Sequence, residues 1–199
     1  MKNLPVATKP GCLLPIDSSG FRAVIRENRD HLRRVESWID TATWEASLWN
    51  FGVPAPCLSE LNHIAGDVVT YSDILIFLAN RLPPAAYLEI GVSVGKNFFQ
   101  MLKSLKGWRL VGLDVEGIPP ILEATFQKTI ARRATEPFRF RSKDARFVTV
   151  YTELTHLSSP STDNSISMVR GDKFRDETWV YLQGNQFALI FSDACHIPS

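Results

Sequence analysis

The residues best suited to do chemistry lie in the segment Glu89-Ile90-Gly91-Val92-Ser93-Val94-Gly95. An apolar run that contains Glu89 leads into a turn with small residues at 91, 93 and 95, and an amphipathic stretch follows at once. This pattern predicts a strand, a glycine turn and a helix start, the layout in which backbone can closely approach a nucleotide-like ligand. The same letters also spell G-x-S-x-G, the turn that carries the nucleophile of serine hydrolases.

The hydrolase interpretation makes Ser93 the nucleophile, His196 its base and Asp114 or Asp172 the orienting acid. Three features disfavour it. The residues before 86 predict helix and loop instead of the several strands that precede such a turn, and Glu89 stands where a hydrolase has an apolar residue. Asp114 follows Gly91 by 23 residues, the separation expected of an acid that binds ribose. We therefore favour a cofactor turn and keep the hydrolase as the alternative.

The elements around the turn are predicted to alternate between strand and helix. We expect strands at 87–90, 109–114, 166–169 and 187–191, and helices over about 97–106, about 120–136 and about 177–182. Between them, residues 138–141 alternate like an edge strand, 147–151 fit a strand or a helix, and 158–165 read as a loop. Such alternation is typical of a parallel, doubly wound α/β sheet.

The chain before residue 86 is predicted to be helical. Residues 1–20 are rich in Pro, Gly and Ser and predict a flexible arm, and apolar residues at helical spacing predict a helical cap or lid within 21–67. Thr70 begins a further predicted helix that Pro83 ends, which opens a domain spanning 68–199.

With these residues in view, the chain resembles the class I S-adenosylmethionine-dependent methyltransferases. The likeness is greatest to the small-molecule branch whose fourth strand ends in Asp-x-x-His. The first family motif, acid-x-Gly-x-Gly-x-Gly, matches 89–95, with Ser93 in place of the middle glycine. The second, an acid that closes strand two, matches Asp114, and the third matches Gly171-Asp172. The fourth matches 187–196, so that the resemblance covers roughly residues 68–199.

The resemblance implies S-adenosyl-L-methionine as cofactor and assigns roles to individual residues. The cofactor-binding residues would be Glu89, Gly91, Ser93, Gly95, Asp114 and Asp172. Asp114 would accept hydrogen bonds from the two ribose hydroxyls, and Asp172 would lie beside the adenine amino group unless it pairs with Arg170. Asp193 would lie near the reactive methyl, and His196 would be a general base or would pack the strand end. These two alone are too few metal ligands, so we expect no metal.

The resemblance also implies an incomplete domain, because the complete family sheet has seven strands and this sequence supplies four. A methyltransferase truncated at its carboxyl end is expected to bind the donor weakly, and the activity of the 199-residue chain itself is left open. The acceptor is expected to be a small molecule methylated on a hydroxyl. A non-catalytic Rossmann-like module is the remaining alternative.

Composition limits the partners and the cellular compartment that we expect for the chain. With 22 basic and 21 acidic residues the net charge is +1, so we expect neither a nucleic acid nor a membrane partner, although the cluster Arg139, Arg141, Lys143 and Arg146 is interleaved with phenylalanine. Three widely separated cysteines and the lack of an apolar leader favour the cytoplasm. The N-terminal helices are expected to cover the substrate pocket or to form a homodimer.

Overall fold

The computed structural model describes residues 17–33, 62–63, 65–66, 68–142 and 146–192. The helices are α1 (Ser18–Arg33), α2 (Tyr71–Ala79), α3 (Lys96–Ser104), α4 (Pro120–Thr125) and α5 (Asp176–Trp179). The strands are β1 (Ala86–Ile90), β2 (Arg109–Asp114), β3 (Gln127–Arg141), β4 (Phe147–Ser158), β5 (Ser165–Arg170) and β6 (Leu189–Ser192).

The strands form one mixed sheet in the order β3-β4-β5-β2-β1-β6. β5, β2, β1 and β6 are parallel, whereas β3 and β4 form an antiparallel hairpin that joins the sheet beside β5. The parallel part thus grows from β1 through β2 to β5, and β6 then returns to the other side of β1. Ligands of open α/β sheets bind where the strand order reverses in this way, at the carboxyl ends of the strands. The α/β class is confirmed, and the sheet is compatible with a Rossmann-like fold.

The four parallel strands lie where the sequence predicted them, but the segment after β2 does not. The helix predicted over about 120–136 ends at Thr125, and β3 begins two residues later. Ile130, expected to face inward from that helix, is 56% exposed and pairs with Thr155 of β4. Pairing with β4 overrides the local helical pattern over 127–136. The edge strand predicted at 138–141 is confirmed as the end of β3, and 147–151, predicted as a strand or a helix, lies in the strand β4.

The helices before β1 begin where local chemistry places them. Thr70 caps α2: its hydroxyl accepts a hydrogen bond from the Asp73 amide at 3.4 Å, and the Asp73 carboxylate accepts one from the Thr70 amide at 2.8 Å. This reciprocal pair satisfies two backbone donors at the helix start. α1 begins at Ser18, inside the predicted arm, and the rest of the predicted cap within residues 34–61 lies outside the described residues.

Apolar side chains cover the sheet on both faces. On one face Tyr87 and Leu110 pack with Phe98 and Met101 of α3. On the opposite face Leu88 packs in a smaller apolar cluster, formed with Val111, Leu113, Val169 and Leu182. α1 packs on α2, with the rings of Phe21 and Phe77 4.9 Å apart. None of the helices described is long and apolar enough to cross a membrane.

Candidate functional site

The turn between β1 and α3 has the backbone that the glycine pattern predicts. Gly91, Ser93 and Gly95 have φ values of +85°, +53° and +86°. A side chain at Gly95 would place its Cβ 3.0 Å from Pro119, which explains why this position is small. Ser93 is the one non-glycine residue with positive φ among those described. It adopts, at a cost of about 1 kcal/mol, a conformation that the glycine of the resembled motif adopts freely.

Asp114 joins the turn to the end of β2. One carboxylate oxygen accepts a hydrogen bond from the Ser93 amide at 2.8 Å, and the other accepts one from the Glu116 amide at 2.9 Å. The Asp114 carbonyl accepts a further bond, at 3.0 Å, from the Gly171 amide after β5. Because each carboxylate oxygen has two lone pairs, both can still accept a ligand hydroxyl. The arrangement therefore fits a vicinal diol such as that of ribose.

Glu89 lies inside β1 with a partner that the sequence analysis missed. The hydroxyl of Tyr87 donates a hydrogen bond to a Glu89 carboxylate oxygen at 2.6 Å, and both side chains are buried. Burial, followed by the nearby Glu89 charge and this bond, raises the pKa of Tyr87 well above its usual value. Side chains two apart on a strand share a face, so the i, i+2 spacing was the signal available. Tyr87 fixes the orientation of the Glu89 carboxyl beneath the turn.

Two polar residues at the start of α3 were also missed. Lys96, 3% exposed, and Asn97, 7% exposed, follow the turn directly. The Lys96 Nζ and the Asn97 Oδ1 have no hydrogen-bond partner within the described part of the chain. Burial, and then the positive charge of Arg29, lower the pKa of Lys96 to about 8, although Asp73 acts in the opposite direction. A buried ammonium to which no carboxylate of the described residues is hydrogen-bonded is suited to pair with an anionic group of a ligand.

A buried polar cluster beside Lys96 ties α1 and α2 to α3. The Asp73 carboxylate accepts hydrogen bonds from Asn28 at 2.7 Å, from the Nη1 and Nη2 atoms of Arg29 at 3.1 and 3.0 Å, and from the Thr70 hydroxyl at 2.8 Å. Gln100 of α3 donates to the Asn28 side chain at 2.7 Å. The N-terminal helix is thereby held against the helix that follows the glycine turn.

The remaining edge of the site lies at the carboxyl ends of β5 and β6. Asp172 accepts a hydrogen bond from the Phe174 amide at 2.9 Å, and Arg170 donates to the Val115 carbonyl at 3.4 Å, so the alternative Arg170–Asp172 pair is not formed. The rings of Tyr71 on α2 and Phe191 on β6 are 5.4 Å apart. They bring the start of α2 to the strand at the switch point.

The two predicted catalytic residues, Asp193 and His196, directly follow β6 in sequence and lie outside the described residues. The structure therefore brings together Glu89, Gly91, Ser93, Gly95 and Asp114, with Asp172 one strand further along the same edge. Within the described ranges no group of three or more His, Cys, Asp or Glu side chains could hold a metal ion.

Comparison with known proteins gives no relative. No protein-family model, no curated protein and no solved structure matches the chain.

Lys96 should make stability depend on pH in a defined window. A lysine whose pKa is about 8 in the folded chain and 10.5 otherwise leaves the unfolded chain holding more protons between these values. The free energy of unfolding of the wild type should therefore rise with pH from about 8 to 10.5 relative to that of Lys96→Met, and the difference should be constant below pH 8. Urea unfolding of both proteins across pH 7–10 measures this. A difference that is flat over the whole range would contradict it.

Proposed function

We propose that the chain is an S-adenosylmethionine-dependent methyltransferase domain that acts on a hydroxyl of a small molecule. The observation that carries the proposal is the hydrogen bond between the Ser93 amide and the Asp114 carboxylate. It joins a turn of left-handed residues after β1 to an acid that closes β2, next to the strand-order reversal. This is where a nucleoside with a free diol binds in an open α/β sheet.

The described residues fit the donor without a phosphate-binding device. The donor has no pyrophosphate, so the turn needs only small residues that let the backbone come close. Asp114 would accept from the ribose hydroxyls, and Asp172 would lie toward the adenine. Lys96, at the positive end of the α3 dipole, would pair with the carboxylate of the methionine portion. When bound, the donor supplies an electrophilic methyl group on a sulfonium.

The acceptor chemistry is assigned to residues that follow β6. Methyl transfer requires alignment of the acceptor oxygen with the methyl group and removal of the hydroxyl proton. We assign the proton to His196, whose ordinary pKa suits a general base, and the orientation of the acceptor to Asp193. Tyr71 and Phe191 would form an aromatic wall at the same end of the sheet.

We also propose a reducing, cytoplasmic setting, because Cys12, Cys57 and Cys195 are odd in number and far apart in sequence.

The donor assignment is tested by two ligands that differ in one carboxylate. Wild-type protein should bind S-adenosylhomocysteine roughly tenfold more tightly than decarboxylated S-adenosylhomocysteine, because a charge-assisted pair contributes about 1.5–3 kcal/mol. Lys96→Met should reduce this ratio to about one and leave the affinity for the decarboxylated ligand unchanged. Ligand-detected NMR titration measures the dissociation constants from micromolar to millimolar.

Lys103→Met is the matched control, since Lys103 is an exposed lysine of the same helix. It should keep the tenfold ratio. If neither ligand binds the wild type, the methyltransferase proposal fails. If both bind but Lys96→Met keeps the ratio, only the role of Lys96 fails.

A further inference from the structure

The β3–β4 hairpin extends beyond the sheet that it joins. β4 pairs with β5 only over residues 153–157, and Glu153 lies opposite Arg170 at the carboxyl end of β5. Residues 147–151 of β4 pair with β3 alone. The part of the hairpin formed by 133–141 and 147–153, here called the distal ribbon, therefore projects past the carboxyl edge of the parallel strands.

One face of the distal ribbon packs against the protein. Phe138 and Val150, which pair across the two strands, are buried. The Arg175 guanidinium lies 5.7 Å from the Phe138 ring centroid, and the Tyr181 hydroxyl donates to the Thr152 carbonyl at 3.4 Å. The segment around α5 thus supports the ribbon from this side and leaves the other face outward.

The outer face carries arginines beside aromatic rings. Arg133, Arg139 and Arg141 are exposed and share it with the aromatic residues Phe147 and Tyr151, because residues paired across the strands point the same way. The Arg133 guanidinium lies 4.4 Å from the Tyr151 ring centroid, and that of Arg139 lies 5.1 Å from the Phe147 centroid. Phe147 itself is 67% exposed. On this face Glu153 approaches an arginine, at 3.7 Å from Arg133.

Charge is concentrated in this part of the chain. Residues 127–158 contain seven basic and three acidic residues, a net charge of +4, whereas the whole chain has +1. The distal ribbon itself holds three of these basic residues and two acids, and the other four basic residues flank it in sequence. The rest of the chain has a net charge of −3, so the near-neutral total conceals a basic segment that contains the ribbon. Local density of charge, and not the total, governs contact with a polyanion.

We propose that the outer face of the distal ribbon binds single-stranded nucleic acid, independently of the proposed methyl transfer. Guanidinium groups match phosphates in geometry and charge, and aromatic rings between them offer stacking surfaces for bases. Pairing of β3 with a second copy is disfavoured, because the edge is basic and Pro137 interrupts its donors.

Fluorescence anisotropy with a labelled 20-nucleotide oligouridylate tests the proposal. Arg133→Gln/Arg139→Gln/Arg141→Gln should weaken binding at low salt. It should also reduce the slope of log K against log salt concentration by about 2, since each phosphate contact contributes roughly 0.7 on a single strand. Phe147→Ala should weaken binding by roughly tenfold through lost stacking. Circular dichroism checks that each variant is folded.

The control is Arg22→Gln/Arg26→Gln/Lys103→Gln, which removes the same charge from exposed positions away from the ribbon. It should bind the oligonucleotide like the wild type. The proposal is overturned if both triple variants lose affinity equally, if the ribbon variant loses none, or if the wild type binds phosphatidylserine vesicles but not the oligonucleotide.

Discussion

Replacing Gly91 with valine is expected to abolish binding of S-adenosylhomocysteine, while Ser93→Gly two residues later is expected to preserve it. Gly91 has a φ of +85°, a region that a β-branched side chain strongly resists, so valine should force the turn into another conformation. The Ser93 amide would then lose the Asp114 carboxylate, and the diol site would lose its fixed acid. We expect binding to weaken by roughly a hundredfold or more, since the two hydrogen bonds that the ribose hydroxyls would donate to Asp114 contribute about 1.5 kcal/mol each.

Ser93→Gly is the matched substitution because it acts on the same turn in the opposite sense. Glycine accepts a φ of +53° without strain, and the bond to Asp114 comes from the backbone and survives the change. The free energy of unfolding should change by less than about 1 kcal/mol, because relief of strain is offset by the freer unfolded chain. Ligand-detected NMR titration and urea unfolding measure both variants. If Ser93→Gly abolishes the catalytic activity of the protein while donor binding stays intact, that result would instead support Ser93 as the nucleophile of a serine hydrolase.

The sequence was informative where local chemistry determines structure. Prolines, the Thr70 cap and the small residues of the turn act over a few positions, so α2, the turn and the four parallel strands could be predicted. The first half of β3, residues 127–136, could not be, because it owes its conformation to pairing with β4, more than twenty residues away for Ile130 and Thr155. Long-range pairing leaves little trace in a single sequence.

In the candidate site, too, residues set by local sequence could be predicted and residues set by long-range packing could not. The position of Asp114 at the end of β2 beside the turn was predictable, while its binding of ribose stays a prediction, and Tyr87 and Lys96 were missed. Tyr87 is buried between the sheet and α3, and the Lys96 ammonium, which has no hydrogen-bond partner among the described residues, lies beside the polar cluster of α1 and α2. Neither kind of burial can be read from local sequence. Likewise, total charge concealed the distal ribbon, because strand register decides which arginines share a face.

Asp73→Ala is expected to lower the free energy of unfolding by about 3 kcal/mol, the lower end of the cost of removing one partner from a buried ion pair, because Asp73 is fully buried but Arg29 is 24% exposed. The carboxylate is fully buried and satisfies donors from α1 and from the start of α2. Without it the Asn28 amide loses its acceptor, the Arg29 guanidinium keeps the Val68 carbonyl but loses both bonds to the carboxylate, and the Thr70 cap loses its reciprocal bond. Such a loss is a large part of a domain's total stability, so α1 should detach early in urea.

Glu123→Ala is the control, because it removes an exposed carboxylate whose bond to Lys128, at 2.7 Å, is shorter than the 3.0 Å ion pair between Arg29 and Asp73. Exposed pairs contribute less than about 1 kcal/mol, so this variant should unfold close to the wild type. Asn28→Ala, which removes one donor and keeps the ion pair, should fall between them and remains measurable if Asp73→Ala does not fold. Urea unfolding of the three variants measures this ordering. Equal unfolding midpoints for Asp73→Ala and Glu123→Ala would show that the polar cluster around Asp73 does not hold α1 in place. The ordering Asp73, Asn28, Glu123 follows from burial, since the Asp73 carboxylate is fully buried and its Arg29 partner 24% exposed, whereas both side chains of the Lys128–Glu123 pair are about half exposed.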